Sequence, residues 1–150
     1  MELYVKHFSE LTAKELYGIL ELRSAVFVVE QNCVYQDIDG LDENAYHMWF
    51  SDDDGIAAYL RILPPGVRFD EPALGRIISA RRRSGIGSQI VQKGITFVQE
   101  HYGPCIITIE AQQYAREFYE KNGFVQISEP FDEDGIPHIL MRWEYSARIS

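Results

Sequence analysis

The chain has 150 residues, a length that suits one domain with a core of its own. Its 23 acidic residues outnumber the 14 Lys and Arg, and the formal net charge of −9 excludes a general binder of nucleic acid or anionic membrane, so any anion must be held at a local site. A hydrophobic fraction of 46%, with 8 Phe, 9 Tyr and 2 Trp, excludes a disordered acidic segment. Cys33 and Cys105 share no metal or redox spacing and read as reduced thiols. The opening "MELYVKHFSEL" lacks the pattern of a signal peptide, and no run approaches the roughly 18 apolar residues of a membrane span. The expected compartment is therefore cytoplasmic.

Taken in chain order, "LYVKHF" alternates as a short strand ended by Ser9. A long amphipathic helix follows, with Leu16, Ile19, Leu20, Arg23, Phe27 and Glu30 at spacings of three and four and a capping-box pattern at Thr12 and Glu15. Residues 31 to 44 carry Asp37, Asp39, Gly40 and Asp42 without periodicity, and form a loop whose length hints at ligand contact. "AYHMWF" and "IAAYLRIL" flank the turn "SDDDG" as a hairpin, and "ALGRIIS" adds a strand after the "PPG" break. A helix is predicted from about Gly85 to Tyr102, a buried strand at 105 to 110, a short helix over "QYAREFYEKNG" and two last strands, "FVQIS" and "HILMRWEY". The order is β-α-β-β-β-α-β-α-β-β: a single domain over residues 1–150, of mixed α and β class around one sheet of six to seven strands.

Residues 81 to 90, "RRRSGIGSQI", concentrate positive charge where a strand meets a glycine-rich turn that opens a helix. The first amides of a helix have no internal partner, and they point outward as a phosphate site. Gly85 and Gly87 let the main chain approach a phosphate closely, and Arg81, Arg82 and Arg83 add charge-assisted hydrogen bonds. No Lys-Ser or Lys-Thr pair follows, so this is not a P-loop. As a dinucleotide fingerprint it lacks the third glycine, Ile90 standing there, although Glu110 mimics the ribose-binding acid.

The pattern Arg82-x-x-Gly85-x-Gly87 resembles the acetyl-coenzyme A signature of the GNAT superfamily of N-acetyltransferases. "QQYAREFYEKNGF" is similar to that superfamily's second motif, with Ala115, Phe118, Tyr119, Gly123 and Phe124 in place and Gln112 where Asn is usual. The stretch "LRSAVFVVEQNCVYQDIDGLDENAYH" and the later "DEDGIPH" resemble the ElaA-like branch. This resemblance implies a fourth strand, about Leu74 to Ser79, that carries a bulge and splays from the fifth, with the pantetheine arm of acetyl-coenzyme A in the gap. It further implies that Ile77, Ile78 and Ser79 face the pantetheine and the thioester carbonyl. Arg82, Arg83, Ser84, Gly85, Ile86, Gly87 and Ser88 would take the pyrophosphate, with Gln112, Ala115, Phe118 and Tyr119 completing the cofactor site.

Acetyl transfer to an amine needs a polarised carbonyl, a neutral nucleophile and a proton for the leaving thiolate. Tyr119 taken alone reads as a core aromatic with a hydrogen-bonded hydroxyl, but with the whole motif in place it matches the superfamily's thiolate-protonating tyrosine. Glu30, His47 and Glu110 are candidate bases. Arg23, Asp37, Asp39, Asp42 and His138 are the candidate acceptor pocket, an acidic one that suits a cationic amine. No His spacing supports a metal. The expected activity is an N-acetyltransferase acting on a primary amine of a small molecule, peptide or protein. A non-catalytic coenzyme A-binding module and a dinucleotide-dependent oxidoreductase are the alternatives. The apolar strand "HILMRWEY" either pairs across a homodimer or packs inside.

Overall fold

Period-two alternation along the two central strands decides which side chains face which layer. A computed structural model describes residues 1–81 and 84–145; Arg82 and Arg83 therefore lie outside the described residues. The elements are β1 (Glu2–His7), α1 (Ala13–Arg23), a π-helical continuation (Ser24–Glu30), β2 (Tyr46–Asp52), β3 (Gly55–Leu63), β4 (Ala73–Ser79), α2 (Ile86–Tyr102), β5 (Ile107–Gln112), α3 (Arg116–Lys121), β6 (Val125–Gln126), β7 (Phe131–Glu133) and β8 (Ile136–Trp143). Mixed α and β class holds. All eight strands of the described residues join one sheet in the order β1-β2-β3-β4-β5-β8-β6, with β7 also on β8. Every pair is antiparallel except β4 with β5.

In β3, Leu60 and Ile62 point to one face, where Ile90, Val91, Ile95 and Val98 of α2 cover them together with Met48 and Leu74. Burying each such side chain stabilises the fold by about 1.5–3 kcal/mol, which fixes α2 on that face. Tyr59 points to the other face and packs with Trp49, Ile78 and Ile19 of α1. The capping box of α1 forms as the sequence indicates: the Glu15 amide donates to the Thr12 hydroxyl at 3.0 Å, and the Glu15 carboxylate accepts from the Thr12 amide at 2.9 Å.

Three features differ from the sequence expectation. The first helix widens after Arg23, and the amides of Gln31 and Cys33 reach back five residues to Val26 and Val28. Apolar spacing of three and four continues through that turn, so periodicity cannot reveal it. The fifth strand starts at Ile107 because Cys105 is tied to α2, its amide donating to Gln99 Oε1 at 2.8 Å and its carbonyl accepting from Gln99 Nε2 at 3.1 Å. The strand also runs on to Gln112, so Glu110 lies within it rather than at its end. An eighth strand, β7, forms a two-residue hairpin with β8 through Asp134 (φ 54°) and Gly135 (φ 81°). Of the two readings of "HILMRWEY", packing inside the sheet is the one observed: β8 is flanked by β5 on one side and by β6 and β7 on the other. No described helix is long and apolar enough to cross a membrane.

Candidate active site

β4 and β5 are neighbours that pair only where they begin, at Ala73 and Thr108, the Thr108 amide donating to the Pro72 carbonyl at 3.1 Å. The cause lies in β4. Two residues, Arg76 and Ile77, stand opposite the single residue Leu60 of β3, and Arg76 takes φ +52°. Such a bulge bends its strand and raises local twist. Beyond it the strands part, and a cleft of about 1110 Å³ opens between them.

One wall is the head of α2 with α3. Gly85 caps α2 at φ +73°, a conformation that costs a side-chain-bearing residue about 1–2 kcal/mol. The amides of Gly87 and Ser88 find no acceptor among the described residues, whereas that of Ile86 donates to the Ser84 hydroxyl at 3.3 Å. Asn122 stitches the two helices together: its Nδ2 donates to Ser88 Oγ at 3.3 Å, and its Oδ1 accepts from Gln92 at 3.0 Å. α3 ends in a paired turn, the Gly123 amide donating to the Glu120 carbonyl and the Phe124 amide to the Tyr119 carbonyl, both at 3.0 Å. Gly123 adopts φ +96°, and Phe124 closes onto the Tyr119 ring at 5.9 Å between centroids. That motif fixes Tyr119 against the cleft, and burial pushes its phenol well above the ordinary tyrosine range.

The other wall is the π-helical segment and the acidic loop, held by three arginines. Arg23, with 0% exposure, places Nε 3.0 Å from Asp37 Oδ2 and Nη1 2.6 Å from Asp42 Oδ1. Arg61 forks onto Asp39 at 2.8 and 2.9 Å and reaches Asp42 at 3.0 Å. Arg76 brings Nε within 2.7 Å of Asp37 Oδ1, a charge contact off the N–H axis, and Nη2 donates to the Asp37 carbonyl at 3.0 Å. Burial alone would raise the Asp39 carboxyl, but the Arg61 fork outweighs it and holds the group at about 2. At one end the walls touch, where Gln112 Nε2 donates to Gln31 Oε1 at 3.1 Å.

Of the residues singled out in the sequence, Ile77, Ile78, Ser79, Gly85, Gly87, Ser88, Gln112, Ala115, Phe118 and Tyr119 all line this one cleft, as do Glu30, Glu110, Asp39 and His138. Glu110 accepts from Arg68 Nη2 at 2.9 Å. Ile86 turns into the core, and the Ser84 hydroxyl is occupied with the Arg81 carbonyl at 2.6 Å. Arg81 is not an anion ligand: its guanidinium forks onto Asp52 at 2.7 Å for both bonds. His47 is withdrawn as a base because it has 0% exposure and both ring nitrogens are engaged inside the fold. Its Nε2 faces the Asp42 carbonyl at 3.1 Å and must carry the proton, so Nδ1 accepts from the Tyr59 hydroxyl at 2.7 Å. Arg23, Asp37 and Asp42 are buried and line no part of the cleft, so they build the pocket wall instead of touching an acceptor. Nothing in the sequence marks the roles of Arg61, Arg76 or Asn122, whose partners on other elements are 19 to 39 residues away. Among the described residues no cluster of His, Cys, Asp and Glu is placed to hold a metal ion.

A sheet split after its fourth strand, with a glycine-headed helix at the mouth of the split, defines an acyltransferase fold. Residues 9–145 match the acetyltransferase (GNAT) domain family, and the chain belongs to that family. It is 40% identical over 143 residues to Protein ElaA of Escherichia coli (strain K12), covering 92% of this chain and 93% of that one. The crystal structure of Escherichia coli ElaA superposes with a TM-score of 0.89 at 39% identity, covering 95% of this chain and 99% of the other. A crystal structure described as an acyl-CoA N-acyltransferase from Pseudomonas aeruginosa gives the same TM-score of 0.89 at 36% identity, with the same coverage of both chains. The dinucleotide alternative falls with the fold, since among the described residues successive parallel βαβ units are absent and only β4 and β5 run parallel.

Proposed function

We propose that this protein is an N-acetyltransferase that moves an acetyl group from acetyl-coenzyme A to a primary amine by direct attack in a ternary complex. The observation that carries the reading is the convergence on one cleft of the Gly87 and Ser88 amides, which have no acceptor among the described residues, the bulged strand β4 and the Tyr119 phenol. The diphosphate lies against the amides of Gly87 and Ser88, where the positive end of α2 favours negative charge. The pantetheine arm occupies the gap between β4 and β5 as a further strand-like segment, and the main chain of Ile77 to Ser79 holds the thioester carbonyl.

The amine nitrogen attacks the carbonyl carbon, the C–O electrons move onto oxygen, and their return expels the coenzyme A thiolate. Tyr119 protonates that thiolate, a role consistent with burial that keeps its phenol neutral. Two cleft carboxylates, Glu30 and Glu110, are in place to take the proton of the incoming ammonium, directly or through water. The acceptor half of the cleft is bordered by Asp39, Glu133 and His138.

Calorimetry with acetyl-coenzyme A, together with thiol release across a panel of primary amines, tests the reading. Absence of binding at millimolar ligand sinks it, and binding without thiol release favours a non-catalytic coenzyme A-binding module. Gly85→Glu abolishes binding, because space around that Cα is open and the new anion stands where the diphosphate lies. Tyr119→Phe lowers turnover with little change in cofactor affinity; unchanged turnover removes its acid role.

A further inference from the structure

Arg76 is a β-strand residue in the left-handed region, at φ +52°, and its backbone is what splits β4 from β5. A side-chain-bearing residue persists there only when its surroundings over-determine it. Those surroundings are specific. The guanidinium stands 5.5 Å above the Tyr35 ring, 2.7 Å from Asp37 Oδ1 and 3.3 Å from Asp39 Oδ2, and it donates to the Asp37 carbonyl at 3.0 Å. Tyr35 in turn donates to Asp37 Oδ1 at 2.8 Å. The same loop is anchored from below, Asp37 by Arg23 at 3.0 Å and Asp39 by Arg61 at 2.8 Å, so the partner that grips Arg76 is itself tied to two buried arginines. The next residues along the strand, Ile77 to Ser79, line the cleft.

We propose that Arg76 is a positioning residue for acyl transfer: its guanidinium, clamped by residues 35–39, holds the β4 bulge so that the main chain of Ile77 to Ser79 stays aimed at the donor thioester. The proposal rests on the acetyl-transfer reading above and adds a coupling between the two walls of the cleft. The acidic loop is then part of the donor site, through Arg76, as well as a border of the acceptor site.

The test needs no acceptor. Acetyl-coenzyme A carrying an NMR-active carbon at its carbonyl is bound to the wild type, to Arg76→Gly and to Arg76→Lys, and coenzyme A affinity is measured in parallel by calorimetry. Glycine accepts φ +52° without strain, so Arg76→Gly keeps the backbone able to bulge while removing the clamp. In the wild type the bound carbonyl resonance lies downfield of the free ligand. In Arg76→Gly it returns toward the free value, and acetyl-coenzyme A loses about 10-fold in affinity while coenzyme A itself does not, as expected when reacting groups drift by a fraction of an ångström. Arg76→Lys, which keeps the charge and loses the fork, falls between the two.

An unchanged carbonyl resonance in Arg76→Gly overturns the proposal, as does a wild-type resonance identical to that of the free ligand. Equal loss of coenzyme A and acetyl-coenzyme A binding overturns it too, since Arg76 would then support the fold at large. Wild-type protein that binds no coenzyme A removes the acetyl-transfer reading beneath it.

Discussion

Replacing Arg23 by Met tests the charge network that shapes the acidic wall. The guanidinium is fully enclosed and makes three bonds, to Asp37 Oδ2 at 3.0 Å, to Asp42 Oδ1 at 2.6 Å and to the Asp37 carbonyl at 2.9 Å. Methionine fills much of the same volume, so the loss is chiefly one of charge and hydrogen bonds. Removing one partner of a buried ion pair costs about 3–5 kcal/mol. Here Asp37 keeps Arg76 at 2.7 Å and Asp42 keeps Arg61 at 3.0 Å, which places the expected loss at the lower end, about 3 kcal/mol. For a chain of this size that corresponds to a fall in Tm of about 6–12 °C. Urea unfolding at neutral pH, with and without Asp42→Asn, measures both the loss and the coupling, expected at about 0.5–3 kcal/mol. A loss below about 1 kcal/mol, with no coupling to Asp42, would refute the argument that these carboxylates depend on Arg23.

Gly123→Ala forces a side chain into φ +96° and sets its Cβ 3.1 Å from the Trp143 ring. It lowers stability by about 1–2 kcal/mol. Thermal unfolding checks this, and an unchanged Tm contradicts it. His47 gives a pH signature. Burial lowers its folded pKa, and the neutral ring fits its two partners. The unfolded chain therefore binds the extra proton first, so stability is full above the unfolded value of about 6.5 and declines as pH falls below it, by up to about 1.4 kcal/mol per pH unit. His47→Gln flattens that decline between about pH 6.5 and 5, read from urea unfolding; an unaltered slope assigns it to other groups.

The elements that follow from local chemistry were legible in the chain. The Asp-Gly turn between β2 and β3, the Thr12 and Glu15 capping box and the Gly85 turn each depend on residues within a few positions of one another. What stayed hidden depends on distance in sequence. Arg81 looked like an anion ligand because it precedes a glycine turn, but Asp52, 29 residues earlier, occupies it. His47 looked available because alternation cannot say that Tyr59 and the Asp42 carbonyl take both nitrogens. The strand "IITIE" begins late because Gln99 captures Cys105 from the helix before it. The length of the acidic loop hints at ligand contact, yet Asp37 and Asp42 are buried counter-ions for three arginines on three different elements.

The Asn122 stitch between α2 and α3 carries a mechanical consequence. With Ser88, Gln92 and the Phe118 carbonyl all bound to one amide side chain, a pull on the first turn of α2 drags Tyr119 along with it. The opposite wall is braced by its arginines, so both sides of the cleft are cross-tied to the rest of the fold. A slot of that kind sorts its guests by contour on entry and forfeits little free energy to tightening around them. Differences in rate among amines would then register how well each one's outline matches a mould that is already set.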